Sequence, residues 1–366
     1  MFDRRLISNF DWVLFFSPLL ISALGIINLY SAGSVSSGPG ATSLYLKQLY
    51  WLLLGLVLFF TIVTIDYQLI AGYAYWLHCT SLLLLLAVFF LGGHISGTHR
   101  WLQIGGFSFQ PSELAKITLV LLLSQSFSGL NMHKTNQFQG VFLPFLITCI
   151  TFVLIFLEPD LGTAVLFFLV FFSFVFLVKF DLKRILLILV AGSVLLPCAW
   201  LFLEDYQKGR IITFFNPGRD SLRAGYQSIQ SKIAIGSGML CGKGFMAGTQ
   251  SQLRFLPEQH TDFVFSVWAE EWGFFGCAVL ILLFFIIISK GLKIASQSRD
   301  RLGSFISVGL VLILFWQVFI NIGMVIGLVP TVGIPLPLIS YGGSSLVSVW
   351  ASLGVLQNIK MRKFMF

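Results

Sequence analysis

The sequence predicts an all-α polytopic integral membrane protein with ten transmembrane helices and a long outer loop between helices seven and eight. Three observations carry that class. The 366 residues are 57% hydrophobic and only 10% charged, and their mean hydropathy is +0.90. Apolar runs of about 18 or more residues recur along the chain, each long enough to cross a hydrocarbon layer of ~30 Å. These runs are continuous rather than alternating, which favours helices that satisfy their own backbone over a β-barrel.

The spans fall at 12–32, 45–64, 73–93, 110–127, 140–157, 161–178, 184–203, 263–289, 304–329 and 338–359. Arg4 and Arg5 precede a full-length apolar run, so the first span is expected to be retained rather than cleaved. Of Cys79, Cys149, Cys198, Cys241 and Cys277, four fall within spans. None forms a Cys-x-x-Cys pair, so they read as small core residues rather than a disulfide or metal framework. Residues 1–366 form a single membrane domain, within which 204–262 is a large extracytoplasmic loop too short and polar to hold a core of its own.

A net charge of +8 can point to nucleic acid, but its distribution follows a membrane rule instead. With the N-terminus inside, the inner side carries Arg4, Arg5, Lys134, Lys179, Lys183, Arg184, Lys290, Lys293, Arg299, Arg301, Lys360, Arg362 and Lys363. The short outer loops and nearby helix ends carry only Lys47, Arg100 and Lys116. That asymmetry orients the chain with both termini in the cytoplasm, and long loops are exempt from the rule. Most acidic residues then lie at the outer face, where no ATP is available.

Polar motifs punctuate the outer face. Arg100-Trp101 suits an interface, where both residue types anchor. In QPSELAK, Pro111 and Glu113 suit the first turn of a helix, and Glu113 and Lys116 share a face. A lysine one turn inside a span needs a partner or a polar cavity. The pair therefore either fixes the helix or lines a cavity for an anionic headgroup. In EPDLGTA, Asp160 suits the N-cap of span six, while Glu158 stays unassigned.

The loop contains YQSIQSKIAIGSG, with the spacing of a short interfacial helix. It also contains GSGMLCGKGFMAGTQ, which fails Walker A spacing and serves either as a tight turn or as a nest of N–H groups for phosphate. FLPEQHTDF then gathers Glu258, His260 and Asp262 just before span eight, in which Glu270 and Glu271 follow. Two acids in an apolar helix must face protein, water or a cation. NIGMVIGLVPTVGIPLPLISYGGSS mixes Pro and Gly between the last two spans, as backbone that lines a cavity does.

QPSELAK, EPDLG, GKGFMAGTQ, FLPEQHTDFVF, AEEWG and PLPLISYGGSS, in this order, resemble the SEDS family of shape, elongation, division and sporulation proteins. The likeness covers essentially the whole chain. The short N-terminus, FLPEQHTDF and NIGMVIG are more similar to the RodA-like branch than to the FtsW-like one.

The resemblance implies a ten-helix peptidoglycan glycosyltransferase that polymerises lipid II at the outer face of the bacterial cytoplasmic membrane. It also implies a class B penicillin-binding protein, a PBP2-like transpeptidase, as partner within an elongation complex. The family's essential aspartate maps onto Asp262, and its polar cavity onto Arg100, Trp101, Glu113 and Lys116.

The implied reaction needs a base for the acceptor hydroxyl, and Asp262 is the candidate, with His260 competing because imidazole titrates near neutrality. It also needs positive charge for the departing pyrophosphate. Arg100, Lys116, Arg210, Arg223 and Lys243 are available, and Mg²⁺ or Mn²⁺ is a further candidate, with no nucleotide. Arg210, Lys243 and His260 thus join the expected substrate contacts. The alternatives are a lipid II flippase, which needs polar groups along a whole path, and a non-catalytic scaffold.

Overall fold

The computed structural model describes residues 9–33, 43–95, 98–104, 107–129, 137–178, 204–216, 224–253, 255–256 and 258–363. The predicted seventh span at 184–203, Cys198 and Arg223 lie outside the described residues.

The chain folds as a helical bundle. In order the helices are α1 (Trp12–Gly33), α2 (Ser43–Thr64), α3 (Tyr67–Gly72), α4 (Ala74–Leu91), α5 (Pro111–Ser128), α6 (Gln137–Leu157) and α7 (Leu161–Leu177). They continue as α8 (Asp205–Phe215), α9 (Ala224–Gly238), α10 (Thr249–Gln252), α11 (Val264–Gln297), α12 (Arg301–Ile326) and α13 (Gly343–Met361).

Among the described residues six helices, α1, α2, α4, α6, α11 and α12, are long and apolar enough to cross a membrane. This is a multi-pass membrane protein. The central helices α5 and α13 are more polar, because neighbouring helices rather than lipid cover them. Glu113, Lys116, Thr118 and Ser124 of α5 are buried, as are Ser344, Ser345, Gln357 and Asn358 of α13.

The expectation of an all-α chain needs one correction. Between α4 and α5, strands β1 (Gly93–Ile95), β2 (Thr98–Ile104) and β3 (Phe107–Phe109) pair antiparallel in the order β1-β2-β3. The connections are short, and the register Leu102↔Phe109 and Ile104↔Phe107 closes a tight hairpin.

Several predicted span edges also move. The ninth span stops at Ile326 rather than running to 329, because Gly327 adopts a left-handed C-cap at φ 82°. The last begins at Gly343, five residues later than expected, because the Pro- and Gly-rich stretch before it forms irregular backbone and a turn at Leu336–Ser340 instead of helix. The eighth extends to Gln297 but is interrupted at Gly273, with φ 62° and ψ −159°. Only glycine enters that region readily.

The buried charged side chains of the described residues are Glu113, Lys116, Glu158, Asp160, Glu270 and Glu271. All belong to segments that pack at the end of the bundle where Asp262 lies. The opposite end is tied by partly exposed pairs, Lys290–Asp11 at 3.3 Å and Arg362–Asp66 at 3.4 Å.

Candidate active site

The turn that carries Asp262 is clamped through its backbone. Glu258 takes a left-handed φ of 53°, and Thr261 N and Phe263 N both donate to the Glu258 carbonyl. The Ser340 hydroxyl donates to the Thr261 carbonyl at 2.6 Å, and Tyr341 N donates to the His260 carbonyl at 2.8 Å. Asn321 Nδ2, fully buried on α12, donates to the Asp262 carbonyl at 3.0 Å and the Ile334 carbonyl at 2.7 Å. Gln259 Nε2 reaches the Ala32 carbonyl of α1 at 3.0 Å. The Pro/Gly segment before α13 therefore holds the turn in place, and Phe263 and Val264 anchor it in the core. Such over-determination is what a strained turn requires.

Asp262 and Arg210 converge on Gly333. A methyl group built on Gly333 would lie 3.3 Å from Asp262 Oδ2 and 3.6 Å from Arg210 Nη1. Gly333 itself sits at φ 76°, so glycine serves both the backbone and the space. Arg210 Nη1 donates to the Thr331 carbonyl at 3.3 Å. It lies three residues after Gln207, on the same face of α8. Gln207 is buried and accepts from Glu204 N at 3.1 Å, completing the box that starts α8.

Beside this pair opens a cavity of about 420 Å³. Arg100, Gln207 and Arg210 form one part of its wall, and Val165, Leu169, Trp316, Phe319 and Ile320 another. Burial pushes the Asp262 carboxyl up to about 6, against the pull of Arg210, with Glu258 and Asp160 adding to the rise and Arg100 opposing it. A carboxylate with that affinity is mostly ionised at neutral pH yet strong enough to take a proton, as a general base must be.

The turn between α6 and α7 forms the next part of the wall. Asp160 caps α7 as the sequence predicts, accepting from Thr163 N at 3.2 Å and the Thr163 hydroxyl at 2.9 Å. Arg100 Nε donates to the Glu158 carbonyl at 3.0 Å, Nη2 donates to the Pro159 carbonyl, and Nη1 lies 3.9 Å from Asp160. Most of its guanidinium thus staples the turn. Burial, and the charge of Asp160 beside it, push Glu158 up to about 8 despite Arg100.

Glu113 and Lys116 stand apart from this cavity. Lys116 Nζ donates to Glu113 Oε1 at 2.8 Å, and the Ser348 hydroxyl donates to Oε2 at 2.6 Å. Glu113 lines a second cavity of about 440 Å³, with Tyr50, Trp51, Ser108, Ser344 and Ser348. Both charges of the pair are buried. Replacing Lys116 by Met leaves Glu113 unpaired and is expected to cost about 3–5 kcal/mol of stability. A lowered Tm of the detergent-solubilised variant checks this, with Lys116→Arg falling less.

The structure brings Asp262, Arg210 and Arg100 together, with His260 on the same turn. It does not bring Lys243 there: its amine lies 2.7 Å from Glu270 Oε1 and 2.8 Å from the Thr249 hydroxyl. Trp101 follows Arg100 on β2, where successive side chains point to opposite faces, and lines neither cavity. Sequence reasoning missed Gly333, Gln207, Asn321 and Ser340. Only the Pro/Gly mixture at 327–342 hinted that backbone there lines a cavity. Among the described residues no group of three or more His, Cys, Asp or Glu side chains is placed to hold a metal ion.

Known proteins resemble this chain along almost its whole length. The chain is 39% identical over 350 residues to the peptidoglycan glycosyltransferase MrdB of Escherichia coli K12, covering 95% of this chain and 94% of that one. It is 34% identical over 367 residues to a probable peptidoglycan glycosyltransferase FtsW of Geobacter sp. strain M18, covering 98% of each. A chain from a solved peptidoglycan synthase complex, described as coordinating polymerization and crosslinking, superposes with a TM-score of 0.82. It is 33% identical and covers 98% of this chain and 99% of its own. The crystal structure of the Thermus thermophilus rod shape determining protein RodA gives a TM-score of 0.72 at 30% identity, covering 98% of both chains. The family model described as cell cycle protein, spanning FtsW, RodA and SpoVE, matches residues 11–364, and this chain belongs to that family.

Proposed function

We propose that this chain is a peptidoglycan glycosyltransferase that polymerises lipid II at the outer face of the cytoplasmic membrane, in cell elongation and rod-shape maintenance. One observation carries the reading: Asp262 and Arg210 meet at Gly333, beside a cavity with cationic and apolar walls. A lipid-linked sugar pyrophosphate has the matching chemistry, an anion next to a hydrocarbon chain.

In this reading Asp262 takes the proton from the acceptor sugar's hydroxyl as its oxygen attacks the donor's anomeric carbon. The bond from that carbon to the pyrophosphate oxygen breaks, and its electron pair leaves with the lipid pyrophosphate. Arg210 offsets the charge that develops there, which is where fixed positive charge contributes most. An α-linked donor then yields a β-linked product by inversion, so one base suffices and no glycosyl-enzyme forms. Arg100, held by the carbonyls of Glu158 and Pro159, shapes the wall and adds positive potential. A Mg²⁺ or Mn²⁺ requirement would be met on the pyrophosphate, since Mg²⁺ commonly binds substrate phosphates with few protein ligands.

The orientation rests on the excess of Lys and Arg at one side of the bundle, which puts both termini in the cytoplasm and Asp262 outside. Crosslinking of the new glycan falls to a class B penicillin-binding protein, a PBP2-like transpeptidase, as partner. The gathering of buried charge at the Asp262 end also supports one-sided chemistry over a flippase. Purified protein, its transpeptidase partner and fluorescent lipid II should give a ladder of glycan polymers on a gel without nucleotide. Lipid II that crosses vesicle membranes while no polymer forms would support the flippase instead.

A further inference from the structure

The break in α11 is filled by the outer loop. In an unbroken helix Phe274 N and Phe275 N would donate to the carbonyls of Glu270 and Glu271. Here Phe274 N donates to the Met239 carbonyl at 2.9 Å, and Phe275 N to the Leu240 carbonyl at 3.1 Å. The carbonyls left over accept from Lys243 N and Gly244 N, both at 3.0 Å. Residues 239–244 are therefore spliced into the hydrogen-bond ladder of α11, and these four ladder groups keep partners across the break.

A side-chain latch closes the splice. Glu270 is fully buried, and its carboxylate accepts from Lys243 Nζ at 2.7 Å, the Thr249 hydroxyl at 3.1 Å, Gln250 N at 3.1 Å and the Ser237 hydroxyl at 3.4 Å. Its neighbour Glu271 accepts from the Ser31 hydroxyl of α1 and from the backbone of Met246 in the same loop segment. The first turns of α11 are tied to the same elements. Ser231 of α9 meets Ser266 at 2.9 Å, and Asn28 Nδ2 of α1 donates to the Val264 carbonyl at 3.1 Å.

We propose that Lys243 and Glu270 are positioning residues for the reaction at Asp262. The latch joins α9, the 239–250 segment and the first nine residues of α11 into one body, and Asp262 rides on its edge. Neither residue touches the cavity wall, so they act through placement of the turn. This rests on the assignment of Asp262 as the base. Displacements on the order of 1 Å cost about 100-fold in a reaction that depends on placement.

The test uses full-length protein with its transpeptidase partner. Lys243→Met should lower kcat by roughly 10–100-fold with KM within about twofold. Lys243→Arg, which keeps the charge and a donor, should recover most of the rate, and Glu270→Gln should resemble Lys243→Met. Hydrogen exchange distinguishes positioning from local support: amides should exchange faster in Lys243→Met both at 239–250 and at the 258–266 turn. Wild-type kcat in Lys243→Met would overturn the proposal. So would faster exchange confined to 239–250, or a loss that Lys243→Arg does not recover. If instead Asp262→Asn keeps full activity, the assignment of the base fails, whatever the latch variants do.

Discussion

Asp262→Asn is expected to abolish nearly all glycan polymerisation, a loss of about 10²–10⁴-fold, the usual contribution of a placed general base. The amide is close to isosteric, and the turn is held by backbone contacts from Asn321, Ser340 and Tyr341 rather than by the carboxylate. The fold should therefore survive, and Tm should stay near wild type or rise slightly. A rise would fit the burial that works against the ionised form. Polymer ladders measured on purified, folded variant protein check the rate, and a thermal melt checks the fold.

The second large effect is expected at Arg210. Arg210→Met removes the cation that, among the described residues, acts most strongly on Asp262, and should lower kcat by roughly 10²–10³-fold, as loss of one preorganised charge-stabilising group does. It carries a second, independent signature. Arg210 is the main influence that holds the Asp262 carboxyl down. Removing that positive charge disfavours the carboxylate, so the carboxyl titrates at higher pH. The acidic limb of the pH–rate profile should therefore move upward in Arg210→Met and return part of the way in Arg210→Lys. Lysine restores the charge but not the planar fork that holds the Thr331 carbonyl. Arg100→Met should fall less in rate, because its donors already serve the turn before α7.

Much of this architecture is legible in the amino-acid order. Apolar runs marked the helices because a spanning segment has few other ways to satisfy its backbone. Asp160 was readable as a cap because capping is local, and YQSIQSKIAIGSG became α9. The interruption of α11 was not readable. AEEWGFFG looks like a continuous apolar helix, and what fills the break comes from residues 239–244, some thirty positions upstream. The sheet at 93–109 was hidden for a different reason: its strands are three to seven residues long and lie between two spans.

The candidate site divides in the same way. FLPEQHTDF announced itself as charge in an apolar chain, yet Glu258, His260 and Asp262 stay equivalent in a linear reading. The fold separates them, because it places Asp262 Oδ2 against the same glycine as Arg210. The cations split likewise. Lys116 is spent on Glu113, Lys243 on Glu270 and Arg100 largely on two carbonyls. Each of those partners except Glu113 is far from its cation in sequence, so no spacing rule reveals it.

The most direct test of Asp262 as the base is the pH dependence of kcat/KM, which reports groups of the free enzyme. A base whose carboxyl titrates at about 6 works only when ionised, so the rate should fall as pH drops through about 6, tenfold per unit below it. The limb should persist in His260→Gln and vanish from the residual activity of Asp262→Asn. A limb that survives Asp262→Asn and disappears in His260→Gln would make the imidazole the base and contradict the account.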